Sequence, residues 1–226
     1  YLPPPWGSDD LELEDSHRHH LAKVLRLVDG SPISYTDGAG RSGEGVLAGG
    51  VVARGAEATR ERPRPEVSVA VAPPRKPARL RFLVEKLAEI GIDTLYWLQT
   101  RHGEGRPPRT DKAASWAQAA LEQSRGAWLM SIQGPVPVSG LPESSTLWVA
   151  ERERQPLPSV VEGGTLVIGP EAGFLEGEIP VSANRVGLGA RVLRIETAAV
   201  VGAAALLDRS GRLVPGERPS GGVPGV

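Results

Sequence analysis

Residues 67–98, VSVAVAPPRKPARLRFLVEKLAEIGIDTLYWL, hold a strand, a helix and a second strand in close succession. Val67 to Ala72 is a short run of small, mostly apolar residues, as expected of a strand buried on both faces. From Arg79 to Ile90 the period changes, and Leu80, Leu83, Val84, Leu87 and Ile90 share one helical face. Gly91 stands at the C′ position, where a helix commonly stops on a left-handed residue. Asp93 to Leu98 then resumes strand character. A strand, a crossover helix and a strand form the unit from which parallel sheets are built.

The same rhythm continues toward the C-terminus. A helix is expected from about Asp111 to Arg125, capped by Thr110, followed by strands at Thr146–Ala150, Thr165–Ile168 and Arg185–Leu188. A last helix, Glu196 to Leu207, is almost wholly Ala, Val and Leu and must be buried. The fold class is therefore α/β, with a mostly parallel sheet covered on both faces.

Toward the N-terminus the pattern differs. Ser16 to Leu27 suggests a short helical piece, and the rest of Leu11 to Ala53 consists of brief apolar stretches broken by Asp29-Gly30, Asp37-Gly38, Gly40 and Gly49-Gly50. Turns this frequent predict a small β-rich domain. Arg54 to Pro65 is charged and without period, which suggests a linker or exposed hairpin and a boundary near residue 65. Beyond Asp208 the chain is rich in Gly, Pro and Ser, the composition of a disordered tail. The expected units are residues 1–65, 66–208 and 209–226.

The composition narrows the function. With 226 residues, 40% of them hydrophobic, the chain can bury one or two ordinary cores. It has no Cys, which rules out disulfides, thiolate metal sites and a thiol nucleophile and suits a reducing cytoplasm. No run approaches the roughly 18 apolar residues of a membrane span. Tyr1 to Asp10 lacks the pattern of a signal peptide, so neither membrane insertion nor export is expected. Lys and Arg number 26 against 27 Asp and Glu, so no overall cationic field draws the chain to nucleic acid. Locally, Arg75, Lys76, Arg79 and Arg81, then Arg101, Arg106, Arg109 and Lys112, form either a basic stripe or a solvated surface. His17, His19 and His20 have only Asp15 nearby as a carboxylate, and no metal site is expected.

Three strands end in chemically unusual segments, and ligands of open parallel sheets bind beyond the carboxyl ends of strands. The first segment is Ala150-Glu151-Arg152-Glu153-Arg154. The second, Ile168-Gly169-Pro170-Glu171-Ala172-Gly173-Phe174, is a glycine-bounded turn able to bring backbone close to a ligand. The third runs from Leu188 to Ala198 and puts Arg191, Arg194 and Glu196 directly before the buried helix. Capping accounts for Glu196 and Thr197, but not for the two arginines. Gly187-Leu188-Gly189 does not continue into a dinucleotide fingerprint, and the signatures of nucleotide and serine hydrolysis are missing.

In this order the segments resemble the RsmE family of small-subunit ribosomal RNA uridine-N3 methyltransferases, within the SPOUT superfamily. Gly169-Pro170-Glu171-Ala172-Gly173 matches a Gly-Pro-Glu-Gly-Gly loop, and Leu188 to Ala198 matches Leu-Gly-x-Arg-Ile-Leu-Arg-x-Glu-Thr-Ala with Val192 for Ile. His20-Leu21 with Val24-Leu25-Arg26 and Gly30, the helix Glu85 to Gly91, Arg101 and Glu122-Gln123-Ser124 add support.

The resemblance implies a PUA-like β-barrel that docks RNA, followed by a SPOUT-type α/β domain with a trefoil knot. It implies a homodimer that transfers methyl from S-adenosylmethionine to uridine N3 of 16S ribosomal RNA, free or in the 30S subunit. The cofactor would be held by Val149, Ala150, Glu151, Ile168, Gly169, Pro170, Glu171, Ala172, Gly173, Leu188, Gly189, Val192 and Leu193. Arg191, Arg194 and Glu196 would serve catalysis, and Arg26, Arg79, Arg101 and Arg125 would contact RNA. Ala172 departs from the family by adding a methyl group where glycine would tolerate positive φ, and Pro180 interrupts the short helix expected after Phe174. A noncatalytic RNA-binding assembly protein and a SPOUT methyltransferase acting on another RNA are the alternatives.

Overall fold

The computed structural model describes residues 1–7 and 10–213. Two sheets organise it. The first is antiparallel, in the order β1-β4-β3-β2, with β1 Leu11–Glu12, β2 Pro32–Thr36, β3 Arg41–Ala48 and β4 Val51–Thr59. Helix α1, Asp15–His19, continues as a wider-wound turn over His20–Val24, which is shorter than the Ser16–Leu27 piece expected. Strand β4 also corrects the expectation of a linker from Arg54, because residues 54–59 pair with β3 and no separate hairpin forms there. The charge that obscured this strand is used structurally.

Glu57 on β4 accepts hydrogen bonds from Arg54 Nε at 2.7 Å, Arg41 Nε at 2.8 Å and the Tyr35 hydroxyl at 2.9 Å. The Arg54 hydrogen bonds, with those from Tyr35 and Arg41, outweigh burial and hold the Glu57 carboxyl at about 2, against an ordinary 4.5. A carboxyl depressed on folding stabilises the protein above its unfolded pKa, and that stabilisation is lost as the pH falls through the folded value. The melting temperature should therefore decline as the pH drops from 4.5 toward about 2. Glu57→Gln should lower the melting temperature at neutral pH and flatten that decline; equal slopes in the two proteins would contradict the assignment.

The second sheet is six-stranded and wholly parallel, in the order β10-β8-β9-β5-β6-β7. Its strands are β5 Val67–Val71, β6 Thr94–Leu98, β7 Ser131–Val136, β8 Leu147–Ala150, β9 Gly164–Ile168 and β10 Asn184–Val186. Every residue of β5 and β6 is buried, as the near-continuous apolar runs require. Helices α2 Pro77–Glu89, α3 Thr110–Ser124 and α4 Ile195–Arg209 contribute to the larger core on one face, where Leu83, Leu87, Leu95, Leu166, Leu206 and Leu207 are fully buried. Each of these side chains contributes roughly 1.5–3 kcal/mol by leaving water.

The opposite face carries Ala70, Tyr96, Leu98, Val149 and Val167. It is covered by a single 3-10 turn at Val138–Gly140 and by Phe174 and Ile179 from the loop after β9, with no α-helix there among the described residues.

Several boundaries refine the sequence reading. Gly91 takes φ +85° directly after α2, as its place predicts. The N-cap of α3 is Arg109 rather than Thr110, which is the first helical residue and makes no side-chain cap. Strand β7 was not foreseen, because Gly134 and Pro135 interrupt it; Pro135 is tolerated since β7 is an edge strand. No helix follows Phe174, and residues 175–182 form turns. Helix α4 carries past Asp208 to Arg209, and the tail expected beyond it lies outside the described residues from 214 onward.

The two sheets meet through the segment after α3. Gly40 N–H donates to the Ala127 carbonyl at 2.8 Å, Leu129 N–H to Gly38 at 2.8 Å, and the Trp128 indole to Glu61 at 3.2 Å. Asp93, almost fully buried, accepts from Val67 N–H at 2.8 Å and pairs with Arg212, which also donates to Gly91 at 2.9 Å. The start of β5, the turn after α2 and the chain beyond α4 are thereby joined. No helix of the described residues is long and apolar enough to cross a membrane.

Candidate active site

Parallel pairing of β10, β8 and β9 sets their carboxyl ends side by side, so the three segments singled out above emerge at one edge of the sheet. Glu151 ties the first to its neighbour: its N–H donates to Val186 at 2.9 Å, and its carboxylate pairs with Arg154 at 3.1 Å and with Arg185. Gly187 passes so close to the turn after β8 that a Cβ there would lie 2.2 Å from the Arg154 carbonyl oxygen, and its N–H donates to Gln155 at 2.8 Å. Only a residue without a side chain fits this crossing.

The loop after β9 is closed by Gly173 N–H donating to Pro170 at 2.8 Å. The Phe174 ring covers Gly169, where a Cβ would stand 2.7 Å from Cε2. The left-handed conformation falls on Gly173, with φ +78°, and not on Ala172, which is not among the positive-φ residues. The methyl group of Ala172 is therefore carried without backbone strain, and the departure from the family loop costs nothing in conformation. Leu188 packs on α4 where Gly202 leaves room; a Cβ on Gly202 would meet its Cδ1 at 3.1 Å.

Behind these loops lies Glu196, in the first turn of α4 and only 7% exposed. Its Oε1 pairs with Arg79 Nε at 3.2 Å, and its Oε2 is buried without a hydrogen-bond partner. Leaving a buried carboxylate oxygen unsatisfied is costly unless something else completes the site. Arg79 is thus engaged at this carboxylate, a pairing the sequence did not show.

Arg191, Val192 and Arg194 are exposed, and neither arginine forms an ion pair among the described residues. Arg101 is exposed at the same end of the sheet, and its N–H donates to Glu178 at 2.8 Å. Arg26 and Arg125 lie elsewhere. Arg26 follows α1 beside the antiparallel sheet, and Arg125 ends α3, which runs back toward the amino ends of the parallel strands. Phe174 closes the segment the sequence singled out, and its packing on Gly169 came only from the structure; Glu178 and Arg185 were not singled out as site residues.

Residues 60–207 match the family model of the RNA methyltransferase domain. The chain belongs to the RsmE-type RNA methyltransferase family. A probable rRNA-methyltransferase of Porphyromonas gingivalis is 26% identical, with a TM-score of 0.77 over 90% of this chain and 94% of the other. The fold is shared with the ribosomal RNA small subunit methyltransferase E of Neisseria gonorrhoeae bound to S-adenosylmethionine, at 21% identity, TM-score 0.79 and coverage of 93% and 96%. It is also shared with a Legionella pneumophila protein named as a methyltransferase in complex with the same cofactor, at 22% identity, TM-score 0.78 and the same coverages. No curated protein matches the sequence.

Proposed function

We propose that this chain is an S-adenosylmethionine-dependent methyltransferase for uridine N3 of 16S ribosomal RNA, acting as a cytoplasmic homodimer on the free RNA or the 30S subunit. The observation that carries the reading is Glu196, a buried carboxylate with one oxygen held by Arg79 and the other unpartnered, behind three loops that carry the family motifs. The relatives from Neisseria and Legionella hold S-adenosylmethionine in the same fold, which supports the choice of cofactor.

The residues present suit that cofactor. Ile168 to Gly173 offer backbone donors and acceptors to an adenine edge, Val149 to Glu151 form the neighbouring turn, and Leu188, Gly189, Val192 and Leu193 supply an apolar wall. When bound, the cofactor supplies a methyl group already activated on a sulfonium. The chain's task is to hold the uridine in line and favour loss of its N3 proton. Glu196 holds Arg79 through Oε1, and its buried Oε2, without a partner among the described residues, is assigned as the acceptor of that proton. Arg191 and Arg194, exposed and without an ion pair among the described residues, are assigned to offset the negative charge that builds on the imide oxygens.

The four-stranded sheet of residues 1–65 is assigned as the PUA-like unit that docks RNA, with Arg26, Arg79, Arg101 and Arg125 as contacts to a strand whose target base is splayed out. Residues 66–208 form the transferase unit. A trefoil knot is supported by β10 lying outside β8, followed by the tight passage of Gly187 beneath the turn after β8 before α4 packs on β5 and β9. Exposed Phe82 on α2 and Val201 on α4, two helices packed together, offer an apolar face to a second copy.

The test is methylation of small-subunit RNA, free and in subunits, followed by nucleoside analysis. Appearance of 3-methyluridine is expected. Methyl incorporation at another atom or base overturns the specificity, and no incorporation overturns the catalytic reading.

A further inference from the structure

A second cleft opens at the carboxyl ends of β6 and β7. Its volume is about 420 Å³, and Gln99, Thr100, Arg101, Pro137, Ser139 and Glu178 contribute to its lining. This lies within the roughly 300–1,000 Å³ of small-ligand sites.

Three features define what it accepts. Thr100 contributes to the lining, and its Oγ1 is buried against Gly103 without a hydrogen-bond partner among the described residues. Gln99 is exposed beside it and offers both a donor and an acceptor, as the edge of a base requires. Arg101, His102 and Arg106 are exposed along the loop that forms the rim, and none of them is ion-paired among the described residues.

Glu178 remains an anion on this wall, held by two backbone donors and set against the neighbouring Arg101. Its Oε1 accepts from Arg101 N–H at 2.8 Å and its Oε2 from Leu175 N–H at 2.6 Å. Burial pushes its pKa up, but these two donors and the nearby Arg101 and His102 bring it below the ordinary carboxylate value. Glu178 thus fixes one wall and joins the loop after β9 to the loop after β6. At its far side the loop 99–109 rests on the strand-end loop before α2: Gly105 sits directly against the Pro73 carbonyl, and Arg75 pairs with Glu104 at 2.5 Å.

We infer that this cleft receives an unpaired nucleotide of the RNA substrate flanking the methylated one, its base against Gln99 and Thr100 and its phosphate at Arg101. The inference rests on the RNA methyltransferase reading and adds a second base-holding subsite to it. A splayed target base leaves its neighbour unstacked, and holding that neighbour fixes the register of the strand.

The test is fluorescence anisotropy of the full chain with a short labelled single-stranded oligouridylate and with a blunt RNA duplex. Ser139→Trp, at an exposed position, fills the cleft without changing charge. Ser144→Trp adds the same bulk, also without changing charge, at the opposite end of the sheet. Single-strand affinity should fall about tenfold in Ser139→Trp and stay unchanged in Ser144→Trp, with duplex affinity equal in all three proteins. Arg101→Ala should also weaken single-strand binding and reduce its salt slope by about one. Failure of the native chain to bind the single strand, equal affinity in Ser139→Trp, or equal loss on single strand and duplex would each overturn the cleft. Parallel calorimetry with S-adenosylhomocysteine separates the two readings: a native chain that ignores this ligand overturns the methyltransferase assignment, whereas cofactor binding with an unaffected Ser139→Trp overturns only the subsite.

Discussion

Gly169→Trp should abolish binding of S-adenosylhomocysteine, as measured by calorimetric titration of the native chain and the variant. The reason is local. A Cβ at position 169 would stand 2.7 Å from Phe174 Cε2 and 3.0 Å from Cδ2, so any side chain must displace the ring that closes the loop. Phe174 packs on the cluster around Ala70, Val149 and Val167, where close packing leaves it little room to retreat. An indole would also occupy the space next to the backbone assigned to the adenine edge. A loss of at least about a hundredfold in affinity, ~2.7 kcal/mol, is expected. Gly169→Ala should show an intermediate loss, because one methyl group moves Phe174 without filling the site. A far-ultraviolet spectrum like that of the native chain would place the effect at the loop. Tight binding by Gly169→Trp would remove the loop after β9 from the cofactor site.

Glu196→Gln should lower the rate of methyl transfer by about a thousandfold, with little change in affinity for S-adenosylhomocysteine. The substitution keeps the shape of the side chain and its hydrogen bond toward Arg79 but removes the charge of a carboxylate that is 7% exposed. It also removes the oxygen that stands without a partner and is assigned the N3 proton. A purely structural role predicts a different pattern: a lower melting temperature with kcat nearly preserved. Single-turnover rates on ribosomal RNA, set beside thermal melts, distinguish the two. Arg79→Met leaves Glu196 with neither oxygen paired, and its rate should fall less than that of Glu196→Gln if the carboxylate is the group that acts.

Much of the transferase unit was legible because its signals are local. The helical period of Leu80, Leu83, Val84 and Leu87 and the glycine after it specify α2 and its end, and the structure places all four on the buried face and Gly91 at φ +85°. The glycine-bounded loop after β9 and the arginine-rich approach to α4 were visible as departures from ordinary turn composition. The edges of this reading failed where tertiary context overrides local preference. Strand β7 carries Gly134 and Pro135, which argue against a strand unless its outer side is known to be unpaired. Residues 54–59 looked like a linker because their charge was visible and the partners that neutralise it were not. Arg54 and Glu57 are three residues apart, but Arg41, which completes the group, comes from the neighbouring strand. Ala172 raised a conformational concern that vanished once the positive φ was found at Gly173.

The amino-acid sequence by itself determined the alternation of strand and helix, the two glycine-bearing loops, the residues able to carry charge near a ligand and the family to which they belong. These follow from backbone period, glycine's freedom and side-chain type, all of which act within a few residues. Only the tertiary structure decided which charges meet. It set Arg79 on Glu196 with the second oxygen buried and unpartnered among the described residues, it put β10 outside β8 with Gly187 hard against the Arg154 carbonyl, and it brought Glu178 to the amide of Arg101, 77 residues away. Contacts of that separation are chosen by how buried faces pack and by the requirement that buried polar groups find partners, and neither is written in the local pattern of the chain.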